Sequence, residues 1–472
     1  MSQEIGTAHF TPADLVEFRA RLRAETELLA TWIAEGVLAS GPKTGGYELE
    51  GWLVGPDLRP RPCAGELLAR LGDPQVIHEV ATFNLEINGQ PKVLQGRSLT
   101  RMATELAATW AGAQSVGTAL GARLVMIGIL PTLREADLVM ANMTPSNRFP
   151  ILNAQIIAQH QGQPLQLQIQ GQDLLAITRH DVMATATTTS FQIHLKVSPA
   201  ESARVYNLSR IISAPLVAVS ANSPYLFGLD LWRETRIPVY EQTTSVTWSS
   251  RSDRTSFGNR YAEGSVLECF QANLRDFPIY LPELLDEPVE SLAHLRLHNG
   301  TIWRWNRPVV GFDPDGTPHL RIEHRPLSAG PTILDIIANA ALYFGVIPSL
   351  LQEPQPPEAS LPCRVARANF YRAAQLGLEA RLQWLGGRVA TAREIIAEDL
   401  LPRARWGLRH LGFDPEEIAL WLGILEGRVR TGQTGAEWQR AYIARHGPDM
   451  TALTGAYLER QQSGLPVHDW TL

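Results

Sequence analysis

Cysteine is scarce in this chain: Cys63, Cys269 and Cys363 are odd in number, far apart and in no Cys-x-x-Cys pair, so neither a disulfide framework nor a zinc site is signalled. A reducing, cytoplasmic setting is the expectation. Basic excess is missing too, and a formal net charge of −6 leaves no positive field for nucleic acid. The N-terminus has no basic segment leading into an apolar one, and no uncharged apolar stretch reaches spanning length, so neither a cleavable signal nor membrane embedding is expected. Ser40-Gly41-Pro42-Lys43-Thr44-Gly45-Gly46 forms turns but lacks the spacing of a P-loop. What remains is an ordinary globular composition, 44% hydrophobic and 19% charged, on a chain long enough to bury a large core.

Against that background, ionisable and polar side chains recur two residues apart in apolar, strand-like runs. They are Glu48 and Glu50; Gln192 and His194; and Arg321, Glu323 and Arg325. On a strand that spacing places each set on one face, with Leu49, Ile193, Leu195 and Ile322 on the other. Two strand carboxylates can hold magnesium, a hard ion that prefers oxygen ligands and shares them with phosphates; the wet face of an amphipathic strand would show the same pattern. Glu86 shares a parity with Thr82, Asn84 and Asn88, whereas Glu79 falls on the opposite one unless the strand is bulged. The Arg-Glu-Arg row fits a cross-strand ion-pair face equally well.

Thr11-Pro12-Ala13-Asp14 signals the start of a helix running to about Glu35. Strands are expected from Tyr47, at Val80 to Ile87, Leu124 to Ile129, Phe191 to Val197, Leu295 to Trp305 and His319 to Arg325. Helices are expected at Ser98 to Leu120 and Ala200 to Ala221. Asp313-Pro314-Asp315-Gly316 reads as a hairpin turn. A linker or lid around Gln352 to Pro362 divides a 1–355 catalytic domain from a helical C-terminal region in 356–472.

Several segments resemble the glutamate–cysteine ligase family 2, the carboxylate–amine ligases. They are Gly46-Tyr47-Glu48-Leu49-Glu50, Gln192-Ile193-His194, Leu208-Ser209-Arg210 followed by Ser220-Ala221-Asn222-Ser223-Pro224-Tyr225, and Trp305-Asn306-Arg307-Pro308 through Leu320 to Leu327. The resemblance implies an α+β fold, a curved antiparallel sheet funnel of the glutamine synthetase type backed by helices. It implies metal ligation by Glu48, Glu50, Glu86 and Glu323, with Glu79 where the family usually has aspartate. His194 would lie near a metal or the nucleotide phosphates, Arg325 would face the transferring phosphoryl group, and Arg307, Arg236 and Gln192 would contact substrate or nucleotide. Converging carboxylates repel one another, a cost that divalent cations relieve.

The implied activity is ATP- and Mg2+- (or Mn2+-) dependent ligation of an amino-acid carboxylate, glutamate by resemblance, to an amine, with neither nucleic acid nor membrane as partner and a homo-oligomer possible. The chain departs from the family at Thr82, which replaces a second glutamate, at Gln192, which replaces a histidine, and at Gly128-Ile129-Leu130-Pro131, where Gly-Thr-His-Pro is usual. These departures motivate an alternative, a ligase-like protein with weakened turnover that binds nucleotide or amino acid as a pathway partner.

Overall fold

The computed structural model describes residues 4–7, 9–245 and 253–472. Eight strands form one curled antiparallel sheet: β1 (Thr44–Val54), β2 (Val76–His78), β3 (Asn84–Asn88), β4 (Lys92–Val93), β5 (Arg123–Val125), β6 (Ser190–Val197), β7 (Asn306–Phe312) and β8 (Pro318–Ser328). The order is β7-β8-β6-β1-β3-β2, and β4 and β5 pair with the two ends of β1. The Asp313 to Gly316 turn joins β7 to β8, as expected.

Five helices matter to the site and its support: α1 (Pro12–Glu35), α2 (Arg148–Gln159), α3 (Pro199–Ser220), α4 (Arg236–Thr244) and α5 (Ile333–Leu351). Thr11 caps α1 by accepting from the Asp14 N–H. The apolar face of the sheet, with Leu49, Ile193, Leu195 and Ile322 buried, is covered by α3 and α5. Contact there is close. A Cβ on Gly45 would lie 2.6 Å from the Phe344 ring, and His324 of β8 stacks on Tyr343 with ring centroids 4.9 Å apart.

C-terminal helices at Cys363–Leu376, Leu401–His410 and Pro415–Thr431 pack on this same layer. Gly407 and Gly345 let two helices touch backbone to backbone, since a Cβ on Gly407 would sit 1.8 Å from the Gly345 carbonyl oxygen. Arg428 reaches into the core and donates to Asp335 Oδ1 at 2.7 Å and Asn339 Oδ1 at 2.7 Å. By length and composition α5 could cross a membrane, but 83% of its apolar window is buried inside the fold. It is a core helix.

Four expectations need correction. Residues 293–299 form a helix, Ala293–Asn299, instead of the start of a strand: His294 pairs with Glu25 of α1 at 2.6 Å and His298 with the Asn273 carbonyl at 3.1 Å. Those partners come from distant elements, and a short apolar run cannot announce them. Val80 to Phe83 is a turn between β2 and β3, so the expected continuous strand is two. The strand expected over Leu124 to Ile129 ends at Val125. Within the helical C-terminal region, Arg381–Gln383 and Val389–Thr391 form a two-stranded hairpin.

Candidate active site

The polar face of the sheet is built by register. Glu50 of β1 lies opposite Glu86 of β3; Glu48 lies between Asn88 of β3 and Gln192 of β6; and Glu323 of β8 lies between His194 of β6 and Arg307 of β7. Glu79 arrives from the β2–β3 connection. Parity therefore does not apply to it, and it joins Glu50 and Glu86 with carboxylate oxygens within 4.8 Å of one another. The second group of that kind is Glu48, His194 and Glu323. Thus Glu48, Glu50, Glu86 and Glu323 share a face but fall into two adjoining groups.

The guanidiniums are placed differently from one another. Arg307 holds Glu323 through two parallel bonds, Nε to Oε2 at 2.7 Å and Nη2 to Oε1 at 2.9 Å. The β6–β8 register slips between His324 and Leu327, where Pro326 has no N–H to give the ladder. Beside that bulge Arg325 donates to Gln192 Oε1 and, at 3.1 Å, to Glu323 Oε2. Gln192 in turn donates to Glu50 Oε1 at 3.0 Å, so its amide links the Glu50 group to Arg325. Ser190, two residues earlier on β6, bonds both Glu50 oxygens, at 2.7 Å through its N–H and 2.8 Å through its hydroxyl. Arg236, at the start of α4, donates to the Pro326 carbonyl at 3.2 Å and Glu234 Oε1 at 3.3 Å.

Glu48, Glu50, Glu79, Glu86, Gln192, Arg236, Arg307 and Arg325 all line one cavity of about 1130 Å³, its open mouth included. His194 and Glu323 are buried next to it. Arg321 Nε donates to His194 Nδ1 at 3.1 Å, which assigns the ring proton of a neutral imidazole to Nε2, the nitrogen 3.2 Å from Glu48 Oε1. In this arrangement Nε2 abuts Glu48 without completing a hydrogen bond, and ligation through Nε2 requires Arg321 to let go.

Electrostatics separate the two groups. For Glu323, burial opposes ionisation but is outweighed by Arg307 and Arg325, which hold its carboxyl well below the usual range. For Glu48, burial is likewise outweighed, with His194 and Arg325 among the groups that favour its charged form. Burial pushes Glu86 up to about 8, with the Glu48 and Glu50 charges adding to it, and lifts Glu79 well above its ordinary value with help from Glu50 and Glu86. Burial also raises Glu50, against the pull of Arg236 and Ser190. Three carboxylates that resist joint ionisation, offering only oxygen, fit a hard divalent cation such as Mg2+ or Mn2+.

The sign of the pH effect follows. Folded Glu86 and Glu79 keep protons that the unfolded chain releases near 4.5, so their contribution to the stability of the cation-free protein falls as pH rises from there through about 8. A bound cation removes that penalty. The gain in melting temperature on adding manganese is therefore expected to grow between about pH 6 and about pH 9. A gain that does not change with pH would contradict the assignment.

The departures at Thr82 and Gly128 to Pro131 do not line the cavity. Thr82 Oγ1 donates to the Asn142 carbonyl at 3.1 Å, and Ile129 and Leu130 are fully buried core residues. Thr82→Glu should consequently leave manganese affinity within about twofold by calorimetry, whereas Gln192→His, inside the Glu50 to Arg325 link, should change it; tighter binding in Thr82→Glu would show that position 82 reaches the site. Sequence reasoning missed Ser190, whose two-residue offset from Gln192 was a usable signal. It also missed Arg148 and Tyr240, which line the cavity from helices and carry no strand periodicity.

A curled antiparallel sheet presenting carboxylates and guanidiniums to an open cavity, with helices behind it, is the sheet-funnel fold of the glutamate–cysteine ligases. The family profile of glutamate–cysteine ligase family 2 matches residues 44–460, and the chain belongs to that family. Among solved structures, glutamate–cysteine ligase from Francisella tularensis in complex with AMP superposes with a TM-score of 0.55 at 12% identity, over 90% of each chain. A bifunctional glutathione synthetase from Pasteurella multocida gives 0.52 at 10% identity, over 89% of this chain and 52% of that one. At these identities the likeness is one of fold. No curated protein sequence matches the chain.

Proposed function

We propose that the protein joins an amino-acid carboxylate, glutamate by family, to an amine through an acyl phosphate, with release of ADP and phosphate. The carboxylate oxygen attacks the terminal phosphorus of ATP and ADP leaves; the amine then attacks the carbonyl carbon, loses a proton and expels phosphate. The observation that carries this reading is the side-by-side placement of the Glu50–Glu79–Glu86 group and Arg325 on one cavity wall.

Glu50, Glu79 and Glu86 would hold the cation, which when bound neutralises phosphate charge. Arg325, oriented by Gln192 and Glu323, presents a cationic fork to the transferring group, and its fixed geometry spares reorganisation during reaction. Arg236 supplies a second positive charge to the same cavity. Arg307 acts through Glu323, which it holds in place and which in turn bonds Arg325. AMP in the Francisella tularensis relative supports an adenine nucleotide as co-substrate here.

The test is phosphate release with ATP and magnesium over acid–amine pairs. Release that needs both an acid and an amine is expected. Binding of ATP or an amino acid without release in any pair would favour the weakened ligase-like protein, and binding of neither would overturn both readings.

A further inference from the structure

Asn84 of β3 is 2% exposed, on the same strand face as Glu86 and in the cavity wall. Neither its Nδ2 nor its Oδ1 bonds any described residue. A buried amide without partners costs about 1–3 kcal/mol, so a group left in that state within a cavity wall is one that a ligand completes. Resting on the ligase reading above, we infer that Asn84 recognises a carboxamide on the amine substrate, an amide that takes the Asn84 N–H and returns one of its own to Oδ1.

The surroundings select that chemistry. A carboxylate could accept from Asn84 Nδ2 but has no hydrogen to give Oδ1, whereas a neutral amide satisfies both atoms. An adenine edge offers a similar donor and acceptor pair. However, Asn84 is two residues along the strand from Glu86, where cation-bridged phosphates belong, and base and phosphates occupy opposite ends of a nucleotide. Phe149, Leu152 and Ile156 of α2, with Val182 and Trp303, give the same cavity an apolar wall. The amine thus carries an apolar side chain beside its amide.

The probes are leucinamide and leucine methyl ester, which share an amine and an apolar side chain and differ in the amide. Calorimetry is run on the full chain with magnesium and a non-hydrolysable ATP analogue, for the natural sequence, Asn84→Leu and Asn84→Ala. We expect leucinamide to bind about tenfold or more tightly than the ester, and both variants to erase that ratio with the ATP analogue's affinity unchanged. Asn84→Leu should also melt at or above the natural temperature, because it removes an unpaired buried amide.

Equal affinity for the two probes, or binding of neither, overturns the inference. So does a variant that weakens the ATP analogue instead, which would assign Asn84 to the base, or one that lowers the melting temperature with the ratio intact, which would make it structural. If the tenfold ratio holds but no acid–amine pair releases phosphate, the ligase reading fails and the recognition by Asn84 stands.

Discussion

Arg325→Lys is expected to lower acid- and amine-dependent phosphate release by about 100-fold or more with the melting temperature little changed, since removing one aligned transition-state donor typically costs that much. Arg325 bonds Gln192 and Glu323 from one planar group while lining the cavity. An ammonium keeps the charge but cannot satisfy both neighbours and still present a fork to phosphoryl oxygens. Steady-state phosphate release measured alongside thermal melting separates the two effects. Unchanged turnover would count against a phosphoryl contact.

The largest effect on stability is expected from Asp335→Ala. Asp335 is fully buried, accepts from Arg428 at 2.7 Å, and accepts the Val467 N–H from the C-terminal segment. Its loss leaves the buried Arg428 guanidinium with fewer acceptors, at a cost of about 3–5 kcal/mol, read by denaturant unfolding. The paired change Asp335→Leu with Arg428→Met should cost less than Asp335→Ala alone, because no charge is stranded. A double variant as unstable as the single would mean that packing, not charge, sets the cost.

The sheet's polar face was legible because period-two placement of Glu48, Glu50, Gln192, His194 and Glu323 survives any curvature of the strands. Parity failed for Glu79, since a turn at Val80 to Phe83 resets the count and only the folded chain shows where it points. The pairing of Arg307 with Glu323 was not legible either: it depends on the β7–β8 register, and the sequence equally allowed Arg307 a free substrate contact. The Ala293–Asn299 helix was lost to its apolar alternation because its deciding bonds, to Glu25 and Asn273, come from elements far away in the chain. Asn84 was visible as a polar residue on the Glu86 face, but nothing before the fold showed both its amide atoms unpaired.

The central claim is that Glu50, Glu79 and Glu86 hold a divalent cation where Arg325 meets phosphate. Anomalous diffraction from crystals grown with manganese and a non-hydrolysable ATP analogue tests it directly. The account predicts a manganese peak within about 2.0–2.4 Å of oxygens from at least two of those glutamates, with the analogue's terminal phosphate in reach of Arg325. Manganese bound elsewhere on the chain, or phosphates held away from both groups, would contradict it.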